Sequence, residues 1–87
     1  MKYDDLHVEI VTPEKIIYDG PVGLVQVPGE NGLFTLLKGH APIIASLKEG
    51  EIRVIGKNGI EDTFKCSGGI LECQDNKVSI IIGTGGN

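Results

Sequence analysis

The sequence predicts an all-β fold, a flattened β-sandwich or barrel of short strands with no substantial helix. Three observations carry this expectation. Apolar residues recur with a period of two rather than about 3.6, so they line one face of a strand and not one stripe of a helix. The apolar runs are short, and Gly, Pro, Asn or Asp closes each of them. The core formers are almost all Val, Ile and Leu, with no tryptophan and only 5% aromatics, and such side chains suit a pleated surface.

The first strand follows from Leu6, Val8 and Ile10 alternating with His7 and Glu9, and Thr12-Pro13-Glu14 turns it. A second covers 16–18 and is stopped by Asp19-Gly20-Pro21, where Gly and Pro punctuate a turn. A third covers 23–27. Pro28-Gly29-Glu30-Asn31-Gly32 is a loop by composition and leads into a strand over 33–37. Gly39-His40-Ala41-Pro42 then crosses to a strand over 43–47, and Lys48-Glu49-Gly50 reads as a turn into 51–55. Gly56-Lys57-Asn58-Gly59 is a strong hairpin signal with its return strand over 60–67. Gly68-Gly69 inside a strand pattern implies a bulge or the close approach of another backbone. Asp75-Asn76 closes a final hairpin between 70–73 and 78–82. The sum is about nine short strands with a turn every 6 to 12 residues or so, the spacing of a sandwich or barrel.

A chain of 87 residues suits one domain, placed at 1–82, with a Gly-rich tail at 83–87. It buries only about 60 to 65% of its unfolded surface, enough for one modest core. The net charge of −4 argues against nucleic acid or an anionic membrane surface as partner. The longest uncharged apolar run, 41–47, falls far short of the roughly 20 residues that span a bilayer. Met1-Lys2-Tyr3-Asp4-Asp5 lacks the pattern of a secretory signal, so the chain is expected to stay where it is made. Cys66 and Cys73 fit neither a redox pair nor a zinc pair, and each occupies an inward apolar slot. Packed thiols are the main reading, with a disulfide across the Gly68-Gly69 bend left open.

The chemical inventory is thin. Ser67, His40 and a carboxylate can be written as a triad, but no nucleophile elbow surrounds Ser67. The carboxylates fall in turns or outward slots, as solvated charges do. The glycine runs at 29–32 and 83–86 lack the Lys-Ser/Thr and the helix of a phosphate loop. No catalytic residue, cofactor or metal is expected. The remaining conspicuous runs, Gly39-His40-Ala41-Pro42 and Ser67-Gly68-Gly69-Ile70-Leu71-Glu72, read as docking surface.

These runs occur in order with Val25-Gln26-Val27-Pro28-Gly29-Glu30-Asn31-Gly32 and Gly50-Glu51-Ile52-Arg53-Val54. From Leu6 to Ile82 the chain thereby resembles the ε subunits of F-type ATP synthases, called δ in mitochondria. The resemblance implies a β-sandwich of about ten strands. It implies a non-catalytic rotor part of the central stalk, peripheral on the cytoplasmic side of a bacterial inner membrane. Such a subunit docks the γ subunit onto the c ring and couples proton-driven rotation to ATP synthesis. By the same resemblance Thr12, His40, Ala45 and Ser67 face γ, and Gly29, Glu30, Asn31, Gly32, Leu33 and Phe34 touch the c ring.

His40 has a second reading, a loop histidine bonded within its own turn. Three departures from the family pattern stand out. Asn31 and Leu33 flank Gly32 where many relatives carry acids, which makes that contact less ionic. Leu37-Lys38 replaces the tyrosine-proline pair that often precedes Gly-His. The sequence also stops after the last strand, without the helical hairpin of longer relatives, so no ATP binding is expected. The exposed docking face is expected to promote weak self-association in isolation. The competing readings are a small β-sandwich adaptor or ligand-binding module outside ATP synthase, and a minor hydrolase built on His40 and Ser67.

Overall fold

The computed structural model describes residues 3–83, so the expected Gly-rich tail lies outside them from position 84 onward. The strands are β1 (His7–Val11), β2 (Ile16–Pro21), β3 (Leu24–Gly29), β4 (Gly32–Leu36), β5 (Ile43–Ile55), β6 (Glu61–Gln74) and β7 (Lys77–Ile82). They form one seven-stranded sheet in the order β2-β1-β7-β6-β5-β3-β4, with no helix among the described residues. Every pairing is antiparallel except β1 with β7, which is parallel.

One sheet makes two layers because β5 and β6, 13 and 14 residues long, turn a corner together. Their register is constant from Ile43↔Cys73 to Ile55↔Glu61, with the ladder skipping only Lys48 and Gly68, where Gly68 takes φ +123°. The inward positions nevertheless change phase along both strands: Leu47 is buried on one side of the corner and Ile52 and Val54 on the other, as Cys66 is matched by Leu71 and Cys73. Since side chains alternate strictly along a strand, a phase change without a register change means that the ribbon has folded over. The first layer is therefore β2, β1, β7 and the 69–74 and 43–47 halves of β6 and β5. The second is the remaining halves with β3 and β4. Tyr18 on β2 meets Phe64 on β6 edge to face at 5.8 Å, closing one layer on the other.

Two glycines make the corner. A Cβ on Gly69 would collide with the carbonyl oxygen of Ile81 on β7, and one on Gly50 would lie 2.8 Å from Cβ of Pro28. The backbone that crowds Gly69 is thus the chain's own. The β3–β5 register slips between Gln26 and Gly29, where Pro28, with no N–H to give, breaks the ladder without leaving an unpaired donor.

Lys48-Glu49-Gly50 is consequently no turn, and Gly68-Gly69 is no bulge in the β5–β6 ladder. The phase change of the alternation imitates a strand break, which is why seven strands read as nine or ten. The hairpin at 56–60 forms as expected: the Gly56 N–H donates to Ile60 O at 2.8 Å and the Ile60 N–H to Asn58 Oδ1 at 3.0 Å.

The core joins both layers through Leu6, Val8, Ile10, Val25, Val27, Leu36, Ile52, Val54, Leu71, Val78 and Ile80, with no buried polar or charged residue among the described ones. Cys66 and Cys73 are buried and free, so the packed-thiol reading holds and the disulfide does not form. Burial pushes the Cys73 thiol up.

Charge stays on the surface. Arg53 grips Glu61 with Nε and Nη2 at 2.8 and 3.1 Å and reaches Gln26 Oε1 at 3.3 Å. Lys57 at the hairpin tip bonds Asp5 at 2.7 Å. These bonds hold the Glu61 and Asp5 carboxyls below their ordinary values of 4.5 and 3.8.

Three outcomes follow. Gly69→Ala should destabilise the chain by about 2–3 kcal/mol in urea unfolding, since two backbones must part. Gly20→Ala, with nothing within 4 Å of the added carbon, should stay within about 1 kcal/mol. The depressed carboxylates contribute stability that is complete above their ordinary values and is lost as pH falls through the folded ones. The stability gap between the wild type and Glu61→Gln should therefore shrink in urea melts taken from about pH 6 down to about pH 2.

Candidate functional site

Alternation sends Leu71, Cys73, Val78 and Ile80 into the core, and so turns Ile70 and Ile81 outward on the first layer. On β5 the same rule turns Ile44 and Ser46 outward. Register then assembles them: Ile81 pairs with Ile70 and with Val11, Ile70 pairs with Ser46, and Ile44 stands opposite Glu72 one pleat away. Ile44, Ile70 and Ile81 are 74, 54 and 57% exposed. Leu33, 67% exposed, stands apart from this band on β4, across the groove between residues 29–34 and 43–46.

Single exposed apolar side chains are ordinary, but an adjoining set on central strands marks a contact surface. The outward positions of the second layer are mostly polar, Gln26, Thr35, Glu51, Arg53, Thr63 and Lys65, with Leu24, Leu33 and Ile55 among them. Within the isoleucine band Glu9 is paired with Lys77 at 3.6 Å, while Glu72 has no ion pair among the described residues.

The Gly39-His40 corner closes one end of this layer. The His40 N–H donates to Leu37 O at 3.0 Å, and Gly39 takes φ +85°, the left-handed position of a type II turn. His40 Nδ1–H donates to Ala41 O at 2.7 Å, which braces the turn. A nitrogen that bonds a carbonyl must carry the proton, so Nε2 of the neutral ring is left as a free acceptor. The brace and the contact readings of His40 are therefore compatible.

Thr12 Oγ1 accepts the N–H groups of Glu14 and Lys15 at 3.2 Å each, capping its own turn. Thr12 and Ser67 share a cleft of about 640 Å³ with Glu49, Glu51 and Lys65. His40 is not brought to them. The Gly83 N–H at the far end of β7 bonds Gly68 O, whereas Asn76 at the near end bonds Gly39. The length of β7, about 20 Å, separates Ser67 from His40, and the triad has no geometry. Ala45 points inward opposite Leu71, half-buried, between the outward Ile44 and Ser46.

The hairpin of β3 and β4 turns through Glu30 and Asn31, and its Glu30 N–H donates to Ser46 O at 3.1 Å. Glu30, Asn31 and Leu33 are exposed, but Gly29 is buried under the Phe34 ring, which leans on the core. Gly32, at φ +132°, shapes the turn. Half of the 29–34 segment is thus scaffold for the other half.

Sequence reasoning missed Ile44, Ile81 and Asn76, while Ile70 lies within the run it reads as docking surface. The signal for the isoleucines was present: Ile43-Ile44, Ile70-Leu71 and Ile80-Ile81-Ile82 each place an apolar residue in a slot that alternation leaves to solvent.

The sequence matches, over residues 5–85, the family described as ATP synthase, delta/epsilon chain, β-sandwich domain. It is 45% identical over 74 residues to the ATP synthase epsilon chain of Chlorobaculum tepidum, covering 85% of this chain and 84% of that one. The epsilon chain of Alkalilimnicola ehrlichii is 39% identical over 79 residues, covering 91% of this chain and 56% of its own length. The chain therefore spans about half of that longer relative. Two solved structures share the fold. A chain of the Euglena gracilis mitochondrial ATP synthase OSCP/F1/c-ring assembly superimposes with a TM-score of 0.85 at 21% identity, over 94% of this chain and 52% of that one. A chain of the Tetrahymena thermophila mitochondrial ATP synthase central stalk and c ring gives 0.79 at 15%, over 95% and 66%. An adaptor unrelated to these proteins is set aside, and the chain belongs to the ATP synthase delta/epsilon family as a β-sandwich domain of that type.

Proposed function

We propose that this chain is a non-catalytic subunit of the central stalk, docking the γ subunit onto the c ring at the cytoplasmic face of a bacterial inner membrane. Proton-driven rotation of the ring then reaches γ through the sandwich as through a rigid body. The observation that carries the reading is the band of Ile44, Ile70 and Ile81 on one outer face, while the other outer face is mostly polar. Thr12 and Ser67 border the band at one end and His40 at the other, so a single partner laid along β7 and β6 would meet all three. Ala45 contributes through the strand that holds Ile44 outward.

The c ring has a different surface. Glu30, Asn31 and Leu33 stand out from the β3–β4 hairpin, carried by Gly29, Gly32 and Phe34. One carboxylate, one amide and one leucine make a contact that is less ionic than an acidic tip. No group in either surface makes or breaks a bond in this role. Burying an exposed isoleucine stabilises a contact by up to about 1.5–3 kcal/mol, enough for each of them to matter.

Ile70→Glu or Ile81→Glu should weaken γ binding at least about 10-fold in calorimetry, because a charge is then desolvated at the contact. The melting temperature should change by no more than a few degrees, since both side chains are already in solvent. Ile60→Glu, on the β5–β6 hairpin and 61% exposed, should leave γ binding unchanged. Glu30→Lys should weaken capture of c subunits from membranes at low salt, and the difference should fade as salt rises. Wild-type γ affinity in both isoleucine variants would overturn the reading.

A further inference from the structure

One side-chain amide joins three segments far apart in the sequence. Asn76 sits at φ +67° after Asp75 at φ +53°, the pair of left-handed residues that a two-residue hairpin turn requires. Glycine would meet that backbone demand at less cost. Asparagine adds a side chain with two polar ends, and both are used. Its Oδ1 accepts the Gly39 N–H at 2.8 Å, and its Nδ2–H donates to Tyr3 O at 2.9 Å. Its own carbonyl accepts the His7 N–H at 2.8 Å. The amide is half-buried in the depression formed by Tyr3, Gly39, His40, Pro42 and Asp75.

We infer that Asn76 is the positioning residue of the docking corner, holding Gly39 so that His40 offers Nε2 to γ in one orientation. The inference rests on the proposed docking to γ. The corner is a crossing loop between β4 and β5, and the turn at Leu37 to His40 fixes its shape but not its placement on the layer. The Asn76–Gly39 bond ties it to the end of the β6–β7 hairpin, two strands that carry Ile70 and Ile81. Corner and isoleucine band are thereby set in one frame. Because Nδ1–H is spent on Ala41 O, the γ group that meets Nε2 of the neutral ring is a hydrogen-bond donor, a hydroxyl, an amide or a cationic side chain.

The test uses Asn76→Gly, which suits the left-handed backbone and removes only the side-chain bonds, and Asn76→Asp, which keeps an acceptor for Gly39. Three readouts are taken on the full chain: melting temperature, amide hydrogen exchange at Gly39, and calorimetric affinity for γ. Asn76→Gly is expected to melt within a few degrees of the wild type, to speed Gly39 exchange at least about 10-fold, and to weaken γ binding about 3- to 10-fold. Asn76→Asp should restore Gly39 protection and bring γ affinity back to within about 3-fold of the wild type. Combined with His40→Ala, Asn76→Gly should add little further loss, since both act through one contact. Unchanged Gly39 exchange in Asn76→Gly would overturn the inference. So would full γ affinity in Asn76→Gly while Ile70→Glu still loses it, and that result would spare the docking reading. Full affinity in both variants would overturn the two together.

Discussion

Everything in this molecule depends on the corner that β5 and β6 turn together. Gly69 admits the Ile81 carbonyl and Gly50 admits the Pro28 ring, so a single paired ribbon folds over instead of continuing flat. The corner also decides which isoleucines are core and which are surface. Before it on β5 the even positions point outward, exposing Ile44; beyond it the even positions point inward, burying Ile52 and Val54. On β6 the same change separates buried Cys66 from exposed Ile70. A flat ribbon of identical sequence would have no such isoleucine band.

Much of the fold was legible because it rests on local rules. Leu6, Val8 and Ile10 announce β1 by alternation, Gly56 to Gly59 announce a hairpin by turn chemistry, and Cys66 and Cys73 announce themselves as core by the slots they fill. The corner was misread because a phase slip in alternation is identical, in one dimension, to a strand ending at Lys48 and another at Gly68. The docking band was hidden for a related reason. Ile80-Ile81-Ile82 looks like more core until the register sets Ile81 beside Ile70 and Val11. Asn76 reads as a turn former, which it is; its second role needs Gly39 and Tyr3 beside it, and no sequence rule brings those three positions together.

The arrangement suits a part that transmits force without chemistry. The core is apolar throughout the described residues, and the ion pairs sit on the surface, where they tie Asp5 to the hairpin tip and β5 to β6. In the proposed role the two docking surfaces share one strand. The hairpin that offers Glu30 is bonded to Ser46, whose neighbour Ile44 belongs to the isoleucine band. Load entering at the ring-facing hairpin would cross to the γ-facing layer within a few residues of β5. His40 sits at the far end of the same layer, held in its turn by Ala41 and in its place by Asn76.

The most direct test of the docking face is the isoleucine δ1-methyl NMR spectrum of the chain titrated with γ. Ile44, Ile70 and Ile81 are expected to shift or broaden together while Ile60, exposed on the β5–β6 hairpin, stays in place. Perturbation of Ile60 with the three band methyls unmoved would contradict the docking reading.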